Sequence, residues 1–202
     1  MQHDTRCSWC VCQPDKHGCM NDLDRVGRCG GCTLCCTLVA VAEIGKRPFL
    51  PCAYLEPIAA VKPGCAIYEK RPPSCRHWSC QFVLEGWDEE LRPDRCGIVF
   101  DPVADIVSID GREVPCLQAW VRPGLPLERL QRQPIAAVVM AATHQGYAVL
   151  FRLGARLSFT VWREDGKLVA SAPAAPQAMG DEAARLDRAA ALVERMEAGR
   201  AP

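Results

Sequence analysis

The distribution of cysteines constrains this chain more than any other feature of its sequence. Of fourteen cysteines in 202 residues, eight precede position 37, six lie between positions 52 and 116, and none follows. In a reducing compartment, cysteines at this density are metal ligands or catalytic groups more often than partners in disulfides. The chain therefore divides into a cysteine-rich front, predicted to bind metal, and a cysteine-free C-terminal part whose role the sequence leaves open.

Charge and hydropathy indicate the compartment and exclude classes of partner. The formal net charge is zero and the sequence pI is about 6.9, so the chain lacks the basic surplus typical of nucleic-acid binding. No apolar run approaches the roughly 18 residues of a membrane span. The opening segment MQHDTRCSWC has no apolar signal-peptide core. We expect a cytoplasmic protein that binds neither nucleic acid nor membrane, with a protein partner left open.

The segment CGGCTLCC places Cys29, Cys32, Cys35 and Cys36 within eight residues. A Cys-x2-Cys loop directs two thiolates into one tetrahedral site, as in zinc knuckles. Three cysteines at successive intervals of three are also typical of iron–sulfur proteins, in which a distant cysteine completes the ligand set. Cys36 does not fit this spacing. It is predicted to serve a second metal or to remain a free thiol.

Four later cysteines are candidates for the distant ligands: Cys52, Cys65, Cys75 and Cys80. On an ideal helix, Cys75 and Cys80 are too far apart in angle to share a face. If both bind one metal, the helix must begin after Cys75.

These segments together carry a resemblance to a known family. CGGCTLCC, Cys52 and the block GCAIYEKRPPSCRHWSC resemble the YkgJ-like cysteine-cluster family, described as a zinc- or iron-chelating domain. The resemblance covers residues 29 to 82, and Thr33 stands where many members have Gly. Larger relatives act as flagellin lysine N-methylases, which implies that such a domain can belong to an enzyme. The resemblance implies a ligand set of Cys29, Cys32, Cys35, Cys36, Cys52, Cys65, Cys75 and Cys80.

The remaining cysteines lie outside the resemblance. Cys7, Cys10, Cys12 and Cys19 would complete a tetrahedral zinc site of their own, or else belong to a flexible, redox-sensitive tail. Cys96 and Cys116 are expected to be packed apolar residues.

Several other side chains could act near the cysteines, although the sequence assigns no catalytic residue. Arg71 and Arg76 flank the second cysteine block, where cations would lower thiol pKa values. His77 is a candidate ligand or base, or an ordinary helix residue. Asp101 and Asp105 are expected to form turns. No phosphate-binding glycine loop is present in the sequence.

The expected fold class is α+β, with a cysteine-rich, metal-organised N-terminal part docked on a small antiparallel sheet with helices. Residues 1–36 show no helix or strand period, a short helix broken at Pro57 is predicted over 53–61, and a short strand over 64–72. A helix is predicted over 72–86, with Gly86 at its end. A hairpin is predicted from strands 97–100 and 105–109 around a turn at Asp101 and Pro102, and Asp110 with Gly111 forms the next turn. A helix over 125–146 interrupted at Pro134, strands over 147–153 and 157–164, and a C-terminal helix over 181–200 complete the prediction. The predicted organisation is an N-terminal extension (1–28), a CxxCxxCC domain (29–122), a helix and strands completing it (123–172), and a linker with the C-terminal helix (173–202).

The sequence thus predicts a metal-binding protein that holds an iron–sulfur cluster or zinc. The triple spacing slightly favours iron–sulfur. One alternative is an enzyme that uses the cluster, such as a protein N-methyltransferase-like or thiol-redox catalyst. The other is a zinc-stabilised adaptor for protein interactions.

Overall fold

The computed structural model describes residues 31–56, 64–155 and 157–171. Short helices precede a five-stranded sheet, which confirms the α+β class. The helices are α1 (Leu34–Leu38), α2 (Pro73–His77), α3 (Gln81–Glu85), α4 (Pro93–Cys96) and α5 (Ile135–His144). The strands are β1 (Ile98–Ile109), β2 (Arg112–Val121), β3 (Ala148–Gly154), β4 (Leu157–Glu164) and β5 (Lys167–Ala170). Single 3-10 turns occupy Ala42–Ile44, Tyr68–Lys70, Glu89–Leu91 and Leu127–Gln131.

The sheet is mixed, so the prediction of an antiparallel sheet was wrong. Its strands lie in sequence order, and β2 runs parallel to β3 whereas the other neighbouring pairs are antiparallel. Parallel neighbours require a crossover connection, which here contains α5. As expected, the helical region is interrupted at Pro134, where the 3-10 turn ends and α5 begins.

The hairpin was predicted to turn at Asp101 and Pro102, but its tight turn lies further along the chain. β1 is one strand with a bulge, in which three residues between Asp101 and Asp105 lie opposite the single Leu117. The tight turn is formed by Asp110 and Gly111, with φ of 49° and 76°. Positive φ at both positions is what a two-residue hairpin requires, which explains the Asp-Gly pair.

The predicted helix over 72–86 is two five-residue helices, α2 and α3. Trp78 and Cys80 between them have extended backbones, with ψ of 137° and 159°. Cys75 therefore lies within α2 and Cys80 precedes α3, which removes the angular restriction of a shared helix. Gly86 ends α3 in the left-handed conformation, as its position predicted.

The cysteine-rich front has less regular structure than predicted after residue 52 and more before it. No strand forms over 64–72, where Cys65 makes one isolated bridge to Leu55. Residues 53–56 form a turn and not the start of a helix. Helix α1 begins at Leu34, in a segment for which no helix was expected. The C-terminal helix predicted over 181–200 lies outside the described residues.

One apolar core joins the front of the chain to the sheet. It includes Leu34, Leu38, Phe82 and Val83 from the front, Ile98, Phe100, Val149 and Phe151 from the sheet, and Ile135 and Val138 from α5. Burying each large apolar side chain contributes about 1.5–3 kcal/mol. The short helices are thus stabilised by this packing, since five residues are too few for a helix to persist alone.

The two cysteines expected to be apolar core residues are buried. Cys96 is 2% exposed, and Cys116 is fully buried in a second cluster with Ile109, Ala148 and Leu150. This confirms their packing role. None of the described helices is long and apolar enough to cross a membrane.

Candidate metal centre

Helix α1 positions Cys35 and Cys36. Leu34 and Leu38 are four residues apart, so they lie on one face and are buried in the core. Cys35 packs against this core at the side. Cys36 is half-buried, and its carbonyl oxygen accepts a hydrogen bond from the amide of Cys52 at 2.9 Å. The end of the CxxCxxCC run is thereby joined to a cysteine 16 positions later.

Backbone pairing brings the Cys65 segment to the same place. Leu55 forms an isolated antiparallel bridge with Cys65, and the amide of Ala66 donates to the carbonyl of Tyr54 at 2.8 Å. Because Leu55 is three residues beyond Cys52, these bonds hold the two cysteine segments side by side.

Glu43 fixes the helix that carries Cys75. Its carboxylate accepts hydrogen bonds from the Ser74 amide at 3.1 Å and from the Ser74 hydroxyl at 2.7 Å. The hydroxyl bond is the main reason that the pKa of Glu43 is lowered. A carboxylate at this helix start satisfies an otherwise unpaired amide. Cys75 is consequently held beside the turn that follows α1.

The thiols of these segments affect one another electrostatically. Burial raises the pKa of Cys65 and of Cys75, and thiolate charge at Cys36 and Cys52 raises both further. Charges interact strongly only over short distances. Cys36, Cys52, Cys65 and Cys75, which come from four separate segments and form no disulfide, therefore surround one region.

Cys35 and Cys36 have opposite acidities although they are adjacent. The Cys35 thiol donates a hydrogen bond to the Cys36 sulfur, and this bond, burial and nearby thiolates raise the pKa of Cys35 well above its usual value. The same bond is the main cause that lowers the pKa of Cys36 to about 7, aided by the cations Lys46 and Arg71. Cys36 is therefore the most acidic thiol among those whose pKa is shifted in the described segments.

Lys46 is a residue of the candidate site that the sequence analysis did not single out. It is only 8% exposed, and its ammonium donates to the carbonyls of Val39, Thr37 and Arg47, the last two at 3.4 Å. Burial lowers the pKa of Lys46, whereas thiolate charge at Cys36 and Cys52 raises it. Nothing in the pattern GKRP distinguishes it from an exposed turn lysine, because only the fold buries it.

Two arginines were predicted to lie near the thiols, and the structure places them differently. Arg71 lies near Cys36 and Cys65, as predicted, with its guanidinium carbon 3.7 Å from the centre of the Tyr68 ring. Arg76 is exposed and donates to the carbonyl of Arg71 at 2.7 Å. His77 is exposed, as an ordinary helix residue would be.

A second set of cysteines lies towards the apolar core. Cys80 is 6% exposed and belongs to the core, against which Cys32 and Cys35 are packed. Thiolate charge at Cys80 and Cys32 contributes to the raised pKa of Cys35. The pKa of Arg92 is raised chiefly by its hydrogen bond with Asp94, and the charge at Cys32 adds to this.

The chemistry of the donors suits a soft metal, but the coordination geometry is not formed. Within residues 31–56, 64–155 and 157–171, no three His, Cys, Asp or Glu side chains are arranged to hold a metal ion. Five predicted ligands, Cys7, Cys10, Cys12, Cys19 and Cys29, lie outside the described residues.

Comparison of the chain with protein-family models, with curated proteins and with solved structures found no match. The resemblance to the YkgJ-like family therefore stays a prediction that depends on the cysteine motifs alone.

Proposed function

We propose that this protein binds a soft metal through its clustered thiolates, either as an iron–sulfur cluster or as zinc. The observation that carries the proposal is the joining of three cysteine segments by backbone contacts. The Cys52 amide donates to the Cys36 carbonyl, and the Leu55 bridge holds Cys65 beside Cys52. Charges at Cys36, Cys52 and Cys75 act on the nearby Lys46. Soft thiolate ligands select zinc and iron–sulfur clusters over hard cations.

The electrostatics of the region favour bound metal over bare thiols. Burial is the main cause that raises the pKa values of Cys65 and Cys75, and repulsion from ionised thiols at Cys36 and Cys52 adds to it. A metal cation replaces the protons and removes this repulsion. Lys46 and Arg71 offset the negative charge that a site with four thiolates would retain.

The cysteine-bearing segment has no long helix or strand, so metal binding would contribute to its folding. Within the described residues 39–56 and 64–77, the regular structure consists of single turns, isolated bridges and the five-residue α2. Binding would draw the sulfurs together and add its free energy to the folding of this segment. An iron–sulfur cluster would supply electron transfer, and zinc would supply structural closure.

The setting we propose is the cytoplasm, where thiols stay reduced. The metal or cluster is the proposed partner, with neither nucleic acid nor membrane. The cluster enzyme and the zinc-stabilised adaptor are distinguished by which metal is found.

Purification without oxygen, followed by absorption spectroscopy and analysis for iron, sulfide and zinc, tests the proposal. A broad band near about 400 nm with stoichiometric iron and sulfide would identify a cluster. A colourless protein with stoichiometric zinc would identify a structural site. Protein that lacks both metals, and that takes up neither on reconstitution, would contradict the proposal.

A matched pair of variants tests the ligand assignment. Cys52→Ser removes a sulfur from the gathered group, whereas Cys116→Ala removes one that is fully buried in the second apolar cluster of the sheet. We expect lower metal content in the first variant and unchanged content in the second. Equal metal content in the two proteins would refute the assignment of Cys52.

A further inference from the structure

We propose that residues 181–200, for which the sequence predicts a helix, cover the face of the sheet opposite α5. The inference is independent of the proposed metal binding, because it concerns the cysteine-free part of the chain. We call this surface the second face. It is defined by the second apolar cluster, which consists of Ile109, Cys116, Ala148 and Leu150 with the half-buried Val107, Val114 and Trp162 packed against it.

The two apolar clusters lie on opposite faces of the sheet. Side chains alternate along a strand, so Ala148 and Leu150 of β3 share one face. The intervening Val149 and the following Phe151 belong to the core that contains α5 and the front of the chain. Cys116 of β2 is paired with Ala148 in the parallel register. The second cluster therefore lies on the side of the sheet away from α5.

The second face is buried, although its cluster has no member from the described helices. Cys116 and Ala148 are 0% exposed, Ile109 is 7% exposed and Leu150 is 9% exposed. The indole nitrogen of Trp162 is buried as well. An uncovered sheet face is solvated and carries polar side chains, which is the opposite of what this cluster shows. A cover is therefore needed, and among the described residues every member of the cluster belongs to a strand.

Of the longer segments outside the described residues, only one continues from the sheet. Residues 1–30 lead into α1, which packs in the core on the opposite face. Residues 57–63 begin and end in the front, where an amide–carbonyl hydrogen bond of 3.3 Å joins the two residues that flank them. Residues 172–202 follow the edge strand β5, and the amide of Ser171 donates to the carbonyl of Thr160 in β4 at 2.9 Å. The C-terminal segment thus departs from the sheet itself.

The length and the apolar pattern of this segment suit the second face. The chain between Ser171 and Asp181 can span about 33 Å when extended. The five strands are together about 20 Å wide, so a helix that begins at Asp181 can reach any of them. Leu186, Ala190 and Val193 recur at helical spacing and form one apolar side of the predicted helix. Packing this side on the second cluster removes both apolar surfaces from water.

The test uses paired substitutions in the full chain. Leu186→Asp with Val193→Asp places two charges on the apolar side of the predicted helix. Ala184→Asp with Ala191→Asp is the matched control. It has the same spacing and the same change in charge, and its positions lie about 160° away around a helix.

Two buried cysteines report on the two faces. Cys116 belongs to the second cluster, whereas Cys96 is 2% exposed and belongs to the core on the opposite face. Labelling with iodoacetamide under native conditions follows the local opening that exposes each thiol. Mass spectrometry of peptides measures both rates in the parent and in every variant.

The pair on the apolar side should raise the labelling rate of Cys116 at least about tenfold and leave that of Cys96 unchanged. A factor of about ten is what the loss of one large buried apolar side chain produces in an equilibrium. The control pair should keep both rates within about twofold of the parent, as surface substitutions do. This selective effect on Cys116 is the result that supports the proposal.

A milder pair controls for aspartates that unfold the whole protein. Leu186→Ala with Val193→Ala removes apolar contacts and keeps a high helix propensity, so it should also accelerate Cys116 alone. The proposal is overturned if Cys116 keeps the parental rate in both pairs, or if Cys96 gains as much as Cys116 in both. Protection of Cys116 that ignores both pairs and falls on dilution would assign the second face to another copy of the chain. None of these results bears on the metal-binding proposal, which concerns the front of the chain.

Discussion

The indole nitrogen of Trp78 lies 3.0 Å from the carboxylate of Asp101, so the segment between Cys75 and Cys80 is tied to β1. Trp120 of β2 donates to the other carboxylate oxygen at 3.3 Å, and the Val103 amide donates at 3.0 Å. Asp101 is only 6% exposed. Burial raises its pKa, and these hydrogen bonds partly oppose the rise. The cysteine-rich front is thus anchored to a buried carboxylate of the sheet.

Replacing Trp78 with Phe should weaken this anchor. The substitution keeps an aromatic ring and removes the donor, leaving a buried carboxylate with one hydrogen bond fewer. We expect the free energy of unfolding to fall by about 1–3 kcal/mol, measured by urea denaturation. Trp162→Phe is the control, because the Trp162 indole nitrogen is buried with no hydrogen-bond partner among the described residues. Equal losses in both variants would contradict a role for the Asp101 bond.

Gly64 should be intolerant of a side chain because of a contact with the CxxCxxCC run. Its φ is 106°, and an added Cβ would lie 2.6 Å from Cγ2 of Thr33. Gly111 also has positive φ, of 76°, but an added Cβ would meet nothing within 4 Å. Gly64→Ala should therefore destabilise the protein more than Gly111→Ala, by about 1–3 kcal/mol in chemical denaturation.

A second substitution separates crowding from backbone strain at Gly64. Thr33→Ser removes the obstructing methyl group and leaves the φ of residue 64 unchanged. Adding it to Gly64→Ala should restore most of the difference from Gly111→Ala. No recovery would show that the cost arises from φ alone and that the contact with Thr33 is unimportant.

The acidity of Cys36 predicts how the metal-free protein reacts with alkylating agents. With a pKa of about 7, Cys36 should label with a midpoint near neutral pH, because the thiolate is the nucleophile. Cys96, whose pKa burial raises to about 11, should label slowly throughout. Mass spectrometry of peptides after timed iodoacetamide treatment measures both rates.

The lowered pKa of Cys36 also makes the stability of the folded protein depend on pH. A folded-state pKa below the usual value of 9.0 adds stability above that value, which is lost as the pH falls through about 7. Cys35→Ala removes the largest cause and should move the labelling midpoint of Cys36 upwards. If the midpoint stays in place, the hydrogen bond from Cys35 is not what lowers the pKa.

Removing metal should loosen the front of the chain and leave the sheet intact. The described residues 39–56 and 64–77 have little regular structure, whereas the sheet is stabilised by the apolar core. After chelation, trypsin should cleave after Lys70 and after Arg76 roughly ten- to a hundredfold faster, the gain expected on losing a ligand bound at ten to a hundred times its Kd. Fragments are identified by mass spectrometry. Unchanged cleavage after chelation would mean that the segment folds without metal.

Local signals in the sequence predicted the regular elements well. Gly86, the pair Asp110 and Gly111, and Pro134 each act through their own backbone preferences, so their effects were readable without the fold. The strands predicted over 147–153 and 157–164 are present as β3 and β4. The errors arose where long-range contacts decide: the bulge in β1, the split between α2 and α3, and the parallel pairing of β2 with β3.

The buried polar network of the sheet also depends on long-range contacts, so the sequence did not predict it. Asp101 and Asp105 look like turn residues in DPVAD, yet both are buried in β1. Arg152 from β3 reaches Asp105 at 3.4 Å and Gln118 at 2.7 Å. Partners separated by 34 to 47 positions leave no periodic pattern that sequence reasoning can detect.

By itself, the sequence determined which residue types are available for metal chemistry, because the three-residue spacing of Cys29, Cys32 and Cys35 is a local property of the chain. Only the tertiary structure decided which thiols are neighbours, that Cys36 is drawn towards Cys52, and that Lys46 is buried beside them. The physical reason is that burial and charge depend on segments that meet across the fold, and burial is the largest cause of the raised pKa values of Cys65 and Cys75.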